Sequence, residues 1–400
     1  MKQNKFVHIK RKDFFLGVDS MYRDIPEFAL VMIIGQDEIS TKSFAKKYFK
    51  QEEMVNKEDL ESKAEERLEA RKLTVILLED QKEQAYEIFI QLAKRHHCKP
   101  VAFILQTSPE EEEARRIEAL TATLQKKGFK HIERVDCEQD DQHMTIRRIK
   151  LANNKREDHG PFDIIGDIHG CYKELYTLLE KLGYKVDEKA YKIEGMESRK
   201  VVFAGDLVDR GPEIVKVLKL VMGMVKEGQA YCVLGNHDGK LQRKLKGSKV
   251  QVVHGLEKTM EELEREPEAF RQEVKDFLET LVSHYVLDEG KLVVAHAGLK
   301  ERLQGRESKT IRDLAMFGET TGRVDQFGLP IRLNWSESYK GDALVVYGHT
   351  PQRETKILNN TINIDTGCVY GGKLTAFRYP ERELVQVQAE RTYYESARPF

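Results

Sequence analysis

Oxygen and imidazole ligands recur beside glycine at five places in the second half of the chain. They are Gly166-Asp167-Ile168-His169-Gly170, Gly205-Asp206-Leu207-Val208-Asp209-Arg210-Gly211, Gly235-Asn236-His237-Asp238, Ala295-His296-Ala297-Gly298 and Tyr347-Gly348-His349-Thr350. A mixture of carboxylate, imidazole and amide donors suits Mn²⁺, Fe or Zn²⁺, with Ni²⁺ also open, better than thiolate-seeking metals. Two divalent cations about 3.5–4 Å apart clamp a phosphoryl group and supply hydroxide near neutral pH, provided that a carboxylate bridges them. Asp206 is the expected bridge. Asp167 and His169 would complete one metal site, and Asn236, His296 and His349 the other.

The remaining polar residues then acquire roles. Arg210 offers a planar fork to phosphoryl oxygens, which a lysine cannot match in bidentate fashion. His237, adjacent to Asn236, is placed to protonate the leaving oxygen, and Asp209 to hold its imidazole in the donating state. Hydroxide would attack phosphorus in line, with no covalent intermediate.

Elements must deliver these residues to one point. Each stretch follows an apolar run, at 162–165, 201–204, 231–234, 292–294 and 343–346, so each ligand is expected at a strand end. One Gly-Asp-x-His-Gly stretch would carry little weight, because strand-to-helix turns are rich in glycine and aspartate. Five in order are not explained by turn chemistry. His96, His97, His254 and His284 lie outside the motifs and are expected to be ordinary surface or core residues.

At these motifs the chain resembles the binuclear metallophosphoesterases of the phosphoprotein-phosphatase type, over roughly residues 160–390. The resemblance puts Asp167, His169, Asp206, Asn236, His296 and His349 on metal-ligand positions, and Asp209, Arg210 and His237 on catalytic ones. Longer segments, His159–Asp163, Val345–Pro351, Asn363–Val369 and Tyr379–Leu384, are similar to the phosphatase module of the bacterial polynucleotide kinase-phosphatase of RNA repair. That likeness implies a further acidic residue, Asp365. It also implies removal of 2′- or 3′-phosphates and opening of 2′,3′-cyclic phosphates at RNA ends, with separate RNA-repair proteins as partners.

The first half departs from that family. Phe28–Ile34 is a strand candidate ending at Gly35, and a helix is expected from Lys42 to Tyr48, which is the right setting for a phosphate-binding loop. A working loop needs Gly-x-x-x-x-Gly-Lys-Ser/Thr. Here Ser40 stands in place of the second glycine, Thr41 in place of the lysine, and Asp37 and Glu38 would repel polyphosphate. Further parallel strands are expected at Leu73–Leu78 and Pro100–Gln106, with helices at Gln81–His97 and Pro109–Gly128. A degenerate P-loop kinase-like domain without kinase activity is the expectation. No Lys-x-Asp-Gly signature is present, so the family's nucleotidyltransferase module is not expected.

A chain of 400 residues exceeds the size at which single cores stop growing. The domains expected are an extension at 1–25, the P-loop-like domain at 26–155, the phosphoesterase at 159–390 and a tail at 391–400. The fold class is α/β, a four-layer α/β/β/α metallophosphoesterase preceded by a reduced three-layer α/β domain. Net charge is −1, which argues against a surface that grips nucleic acid throughout. The basic run Lys240, Arg243, Lys244, Lys246 and Lys249 either guides a phosphodiester chain toward the metals or is a solvated face. Five scattered cysteines and the absence of a signal core or an apolar run of ~20 residues point to the reducing cytoplasm and no membrane.

The substrate stays open at this point. RNA ends or nucleotides are favoured by the longer segments. The same ligand set also serves protein Ser/Thr phosphatases and symmetrical dinucleoside tetraphosphate hydrolases, and a non-catalytic scaffold is the remaining alternative.

Overall fold

Seven consecutive buried residues, Ala29–Gly35, form an inner strand of a four-stranded sheet. The structure, a computed structural model, describes residues 21–55, 59–79, 83–140, 144–195 and 198–396. The chain divides into two compact units, Met1–Lys150 and Leu151–Phe400.

In the first unit the strands run in the order Thr74–Glu79, Ala29–Gly35, Lys99–Gln106 and His131–Asp136, all parallel. Parallel sheets are covered on both faces, which is why the inner strand reads as an unbroken apolar run rather than an alternation. Helices Glu38–Tyr48, Glu83–Arg95 and Glu111–Lys127 connect the strands. The first begins four residues before the expected Lys42. Asp37 caps it, its carboxylate accepting Ser40 N–H at 2.8 Å.

Two expected boundaries shift. Residues 1–20 of the expected extension lie outside the described residues, but Met21–Pro26 is a strand that pairs in parallel with Met144–Ile149. Arg147 clamps Asp24 with two hydrogen bonds of 2.7 and 3.0 Å. At the other end, Asn154–Lys155 pairs with His284–Leu287 of the second unit, so the chain has left the first unit before residue 155.

The second unit contains two larger sheets. One has the order Ala230–Cys232, Lys200–Phe203, Phe162–Ile165, Lys373–Tyr379, Glu383–Gln388, and the other Ile357–Leu358, Thr361–Asn363, Leu344–Tyr347, Leu292–Ala295, His284–Leu287, Asn154–Lys155. Alternate residues serve different layers. Ile164, Val202 and Ala204 of the first sheet meet Val294, Val346 and Ile364 of the second in one cluster. Ile165, Val201 and Phe203 instead pack against Leu175, Leu178 and Leu218 of helices Tyr172–Leu182 and Ile214–Lys226. The far side of the second sheet, at Val293 and Val345, is covered by Trp335 and Tyr339. Both sheets are therefore buried on both faces, as in the four-layer expectation.

The apolar repeat from Leu256 to Leu281 forms two helices, Leu256–Glu264 and Glu268–Thr280. The expected tail at 391–400 is tied down in part. Tyr393 and Tyr394 N–H groups both donate to Val369 O at 3.0 Å, while residues 397–400 lie outside the described residues.

Candidate active site

Six strands deliver the site from one end. Asp167 and His169 follow Phe162–Ile165, Asp206 follows Lys200–Phe203, and Asn236 opens the helix after Ala230–Cys232. These three strands are mutually parallel. His296, His349 and Asp365 follow Leu292–Ala295, Leu344–Tyr347 and Thr361–Asn363, also mutually parallel. Parallel strands place their C-terminal ends on a common edge, so residues far apart in sequence converge there.

Asp206 Oδ2 lies 3.6 Å from His169 Nε2 and 3.4 Å from His296 Nε2. His296 Nε2 also lies 3.0 Å from both Asn236 Oδ1 and His349 Nδ1. The other nitrogens of the two inner histidines face backbone carbonyls, His169 Nδ1 to Val208 O at 2.8 Å and His296 Nδ1 to Ala204 O at 2.9 Å. Those contacts turn both Nε2 atoms inward, the usual outer support of a metal-binding imidazole. Asp167 accepts the His349 N–H at 3.2 Å from each carboxylate oxygen. Asp365 accepts Gly367 N–H at 3.0 Å.

The loops are strained and closely packed. His169, Asp206, Asp209, Arg210 and His349 all have φ between 46° and 73°. Left-handed non-glycine residues each cost about 1–3 kcal/mol and gather where function over-determines the backbone. Glycine fills the gaps. A Cβ on Gly235 would meet Asp206 N at 2.1 Å, and one on Gly348 would meet Asp167 Oδ1 at 2.0 Å.

The electrostatics demand a countercharge. Burial, with Asp365 and Asp206 close by, drives the Asp167 carboxyl well above its ordinary range. Burial also pushes Asp365 up to about 6. Burial works against ionised Asp206, yet the charges of His296 and His237 hold it well below the carboxylate range. Burial likewise opposes protonation of His296, but Asp206 and Asp167 push it up to about 10. Burial and Arg210 hold His169 well below its ordinary value, as burial and His296 do His349. Three buried carboxylates with inward-facing imidazoles are costly unless cations neutralise them.

The residues therefore fit divalent metal. His169, Asp206 and His237 bring ligand atoms within 4.8 Å of one another, and so do Asp206, His296 and His349. Asp206 belongs to both clusters. His349 Nε2 is buried without a partner. Asn236 and Asp167 join the set through the contacts above, so all six expected ligands lie together.

Beside the ligands, His237 Nδ1 is 2.6 Å from Asp209 Oδ2, and His237 N–H donates to Asp206 Oδ1 at 2.9 Å. Arg210 Nη1 reaches His169 Nε2 at 2.9 Å.

Two supporting residues were not singled out from the sequence. Thr259, on helix Leu256–Glu264, donates its hydroxyl to Asp209 Oδ1 at 2.5 Å and accepts Asp209 N–H at 3.0 Å. Asp238 binds Leu207 N–H and Gly235 N–H at 2.9 and 3.1 Å, locking two ligand loops together. Its place in the third motif was a signal. Thr259 carried none, lying in an amphipathic helix with no motif. His284 is a core residue as expected, fully buried with Nε2 accepting Gly305 N–H at 2.9 Å. In the basic run, Lys240 Nζ donates to Val253 O at 2.5 Å and Lys246 pairs with Glu279 at 3.4 Å.

Comparison with known proteins identifies the family. The family model described as calcineurin-like phosphoesterase matches residues 160–353. The chain is 45% identical over 244 residues to a bis(5′-nucleosyl)-tetraphosphatase PrpE [asymmetrical] of Anoxybacillus flavithermus, covering 60% of this chain and 99% of that protein. The Bacillus subtilis protein of the same name is 45% identical over 239 residues, covering 59% and 97%. Among solved structures, a protein serine/threonine phosphatase from Saccharomyces cerevisiae aligns at a TM-score of 0.41 and 15% identity, covering 59% of this chain and 82% of that one. Members of this family bind two divalent metals. The chain belongs to the calcineurin-like phosphoesterases and is a metallophosphoesterase, a hydrolase of phosphoric esters.

Proposed function

We propose that the second unit hydrolyses phosphoric esters or anhydrides of nucleotides, with Asp167, His169, Asp206, Asn236, His296 and His349 holding two divalent cations. The observation that carries the reading is the position of Asp206 Oδ2, within 3.6 Å of His169 Nε2 and 3.4 Å of His296 Nε2. Mn²⁺ is the proposed metal on the donor set, with Fe, Zn²⁺ or Ni²⁺ as alternatives. When bound, such a pair polarises phosphoryl oxygens and lowers the pKa of water.

The chain's own residues supply the rest. Arg210 presents in-plane N–H groups to the phosphoryl oxygens. His237 donates the proton that the leaving oxygen needs, and Asp209 keeps Nδ1 protonated so that Nε2 points at the reacting group. Asp365, buried beside Asp167, assists as an auxiliary acidic residue.

The relatives support a dinucleoside tetraphosphate as substrate. Their printed names specify asymmetrical cleavage, whereas the alternative drawn from the motifs was the symmetrical hydrolase. A second reading, RNA ends with a 2′- or 3′-phosphate or a 2′,3′-cyclic phosphate, is supported by the segments His159–Asp163, Asn363–Val369 and Tyr379–Leu384. That reading brings separate RNA-repair proteins as partners. Five cysteines, none of them in a disulfide, support action in a reducing cytoplasm, and among the described residues no helix is long and apolar enough to cross a membrane.

For the first unit we propose a degenerate P-loop domain that does not bind ATP. A phosphate would sit at the N-terminus of helix Glu38–Tyr48. Asp37 already occupies that position, taking Ser40 N–H and the Ser40 hydroxyl at 2.8 and 2.9 Å.

The test offers Mn²⁺-loaded protein diadenosine tetraphosphate, a nucleoside 2′,3′-cyclic phosphate, a 3′-phosphorylated oligoribonucleotide and a phosphopeptide side by side. Turnover of the tetraphosphate to two unequal nucleotides is expected. Preference for the phosphopeptide overturns the nucleotide assignment, and failure on all four favours a scaffold.

A further inference from the structure

Arg210 lies against two tyrosine rings. Its guanidinium carbon lies 5.4 Å from the centroid of Tyr370 and 5.7 Å from that of Tyr394, within reach of cation–π attraction. Its Nε is buried without a partner. On the backbone side Gly255 packs so closely that a Cβ there would come within 2.4 Å of Arg210 N. Both tyrosines lie beyond residue 353, where the family match ends.

The segment that carries Tyr394 is fastened to the ligand loops. Glu174 is only 2% exposed, on the helix that follows the His169 loop. One of its oxygens accepts Glu390 N–H at 3.1 Å and the Tyr393 hydroxyl at 2.8 Å. The N–H groups of Tyr393 and Tyr394 bond to Val369 O, in the turn three to five residues after Asp365. Thr392 Oγ1 donates to Tyr370 O at 3.4 Å. The placement of the Tyr394 ring is thus set by the same elements that set the metal ligands.

We propose that Tyr394, together with Tyr370, is a positioning residue for Arg210, and that segment 389–394 is a working part of the active site. Rings on the faces of a guanidinium leave its in-plane N–H groups free. The two rings fix the plane of Arg210, whose Nη1, 2.9 Å from His169 Nε2, sits beside the candidate metal ligands where phosphoryl oxygens would bind. The ring carries this role and the Tyr394 hydroxyl does not. The inference rests on the reading of Arg210 as the phosphoryl-binding group.

The test compares wild type, Tyr394→Ala, Tyr394→Phe, Arg210→Ala and the Tyr394→Ala/Arg210→Ala double variant. Two readouts are taken, Mn²⁺-dependent hydrolysis of p-nitrophenyl phosphate and calorimetric titration with inorganic phosphate. Tyr394→Ala is expected to raise KM and the phosphate Kd roughly 3- to 10-fold with a smaller change in kcat, and Tyr394→Phe to stay within about 2-fold of wild type. In the Arg210→Ala background the loss of Tyr394 is expected to add nothing. Equal losses with and without Arg210, or a Phe variant as impaired as the Ala variant, overturn the proposal. Should Tyr394→Ala fail to fold, Tyr394→Leu keeps apolar bulk without a π face and is expected to show the same KM shift; wild-type KM in that variant overturns the proposal. A wild type that turns over nothing sinks the phosphatase reading instead, while the phosphate titration still decides the clamp.

Discussion

His237 Nδ1 sits 2.6 Å from Asp209 Oδ2, and the second oxygen of the same carboxylate takes the Thr259 hydroxyl at 2.5 Å. Asp209 is fully buried, so its two oxygens have one arrangement available. The imidazole is thereby aimed with Nε2 outward.

Asp209→Asn is expected to lower kcat by about 10²–10⁴-fold on an alkyl phosphate ester, with KM little changed. The loss should shrink on p-nitrophenyl phosphate, whose leaving group needs no proton. Thr259→Val should share the pattern at smaller size. Equal losses on good and poor leaving groups would remove His237 from the role of general acid.

Asp206 is shared by both ligand clusters, so its loss should disable the pair together. Asp206→Ala is expected to reduce turnover by at least about 10³-fold on every substrate, and Mn²⁺ titration should show fewer than two tight sites. Retained turnover would refute the bridging assignment.

Metal removal should register in stability as well as in rate. Buried Asp167, Asp206 and Asp365 repel one another, and a cation at 100 times its Kd adds about 2.7 kcal/mol. For a unit of this size that corresponds to roughly 5–10 °C in Tm. Chelation should lower the unfolding midpoint by that order, and Asp206→Ala should abolish the difference. An unchanged midpoint on chelation in wild type would mean that the cluster does not bind the ion.

Away from the site, Asp158 predicts an acid limb. Burial opposes its ionisation, but hydrogen bonds from Lys200 Nζ at 2.5 Å and Tyr231 Oη at 2.7 Å outweigh this and hold its carboxyl below the ordinary 3.8. A depressed carboxylate contributes stability that is fully present above the unfolded value and is lost as pH falls through the folded one. Denaturant midpoints of wild type should therefore fall more steeply below about pH 4 than those of Asp158→Asn. Parallel acid limbs would contradict the pairing.

In the first unit, calorimetric titration with ATP is expected to show no binding in the micromolar range, and Thr41→Ala to leave hydrolysis unchanged. The Thr41 hydroxyl is engaged with Asp37 O and Glu38 O at 3.2 and 3.1 Å. Micromolar ATP binding would make the degenerate-loop reading wrong.

Some of the molecule was legible because its chemistry is local. The strand Ala29–Gly35 announces itself by the apolar run Phe28–Ile34, and each candidate ligand motif follows a shorter apolar run. In the sequence Ser40 and Thr41 resemble a damaged phosphate-binding loop, which puts the helix start at Lys42 rather than at Glu38. Their hydrogen bonds to Asp37 instead make them its first turn. Met21–Pro26 carries no local strand signal because its partner, Met144–Ile149, is more than a hundred residues away, and no short window reveals a non-local edge pair.

Residue types and order alone supplied six candidate oxygen and imidazole ligands, a histidine and an aspartate proposed as acid and support, and an arginine proposed as the phosphoryl fork. Each is a property of a few adjacent residues. Only the tertiary structure decided that Thr259 secures Asp209, that Asp238 ties two loops of the candidate site together, and that Tyr370 and Tyr394 lie against Arg210. Those contacts join segments dozens to nearly two hundred residues apart. They arise where two sheets and their helices close over a common edge, and no residue involved has a periodicity or motif that declares its partner.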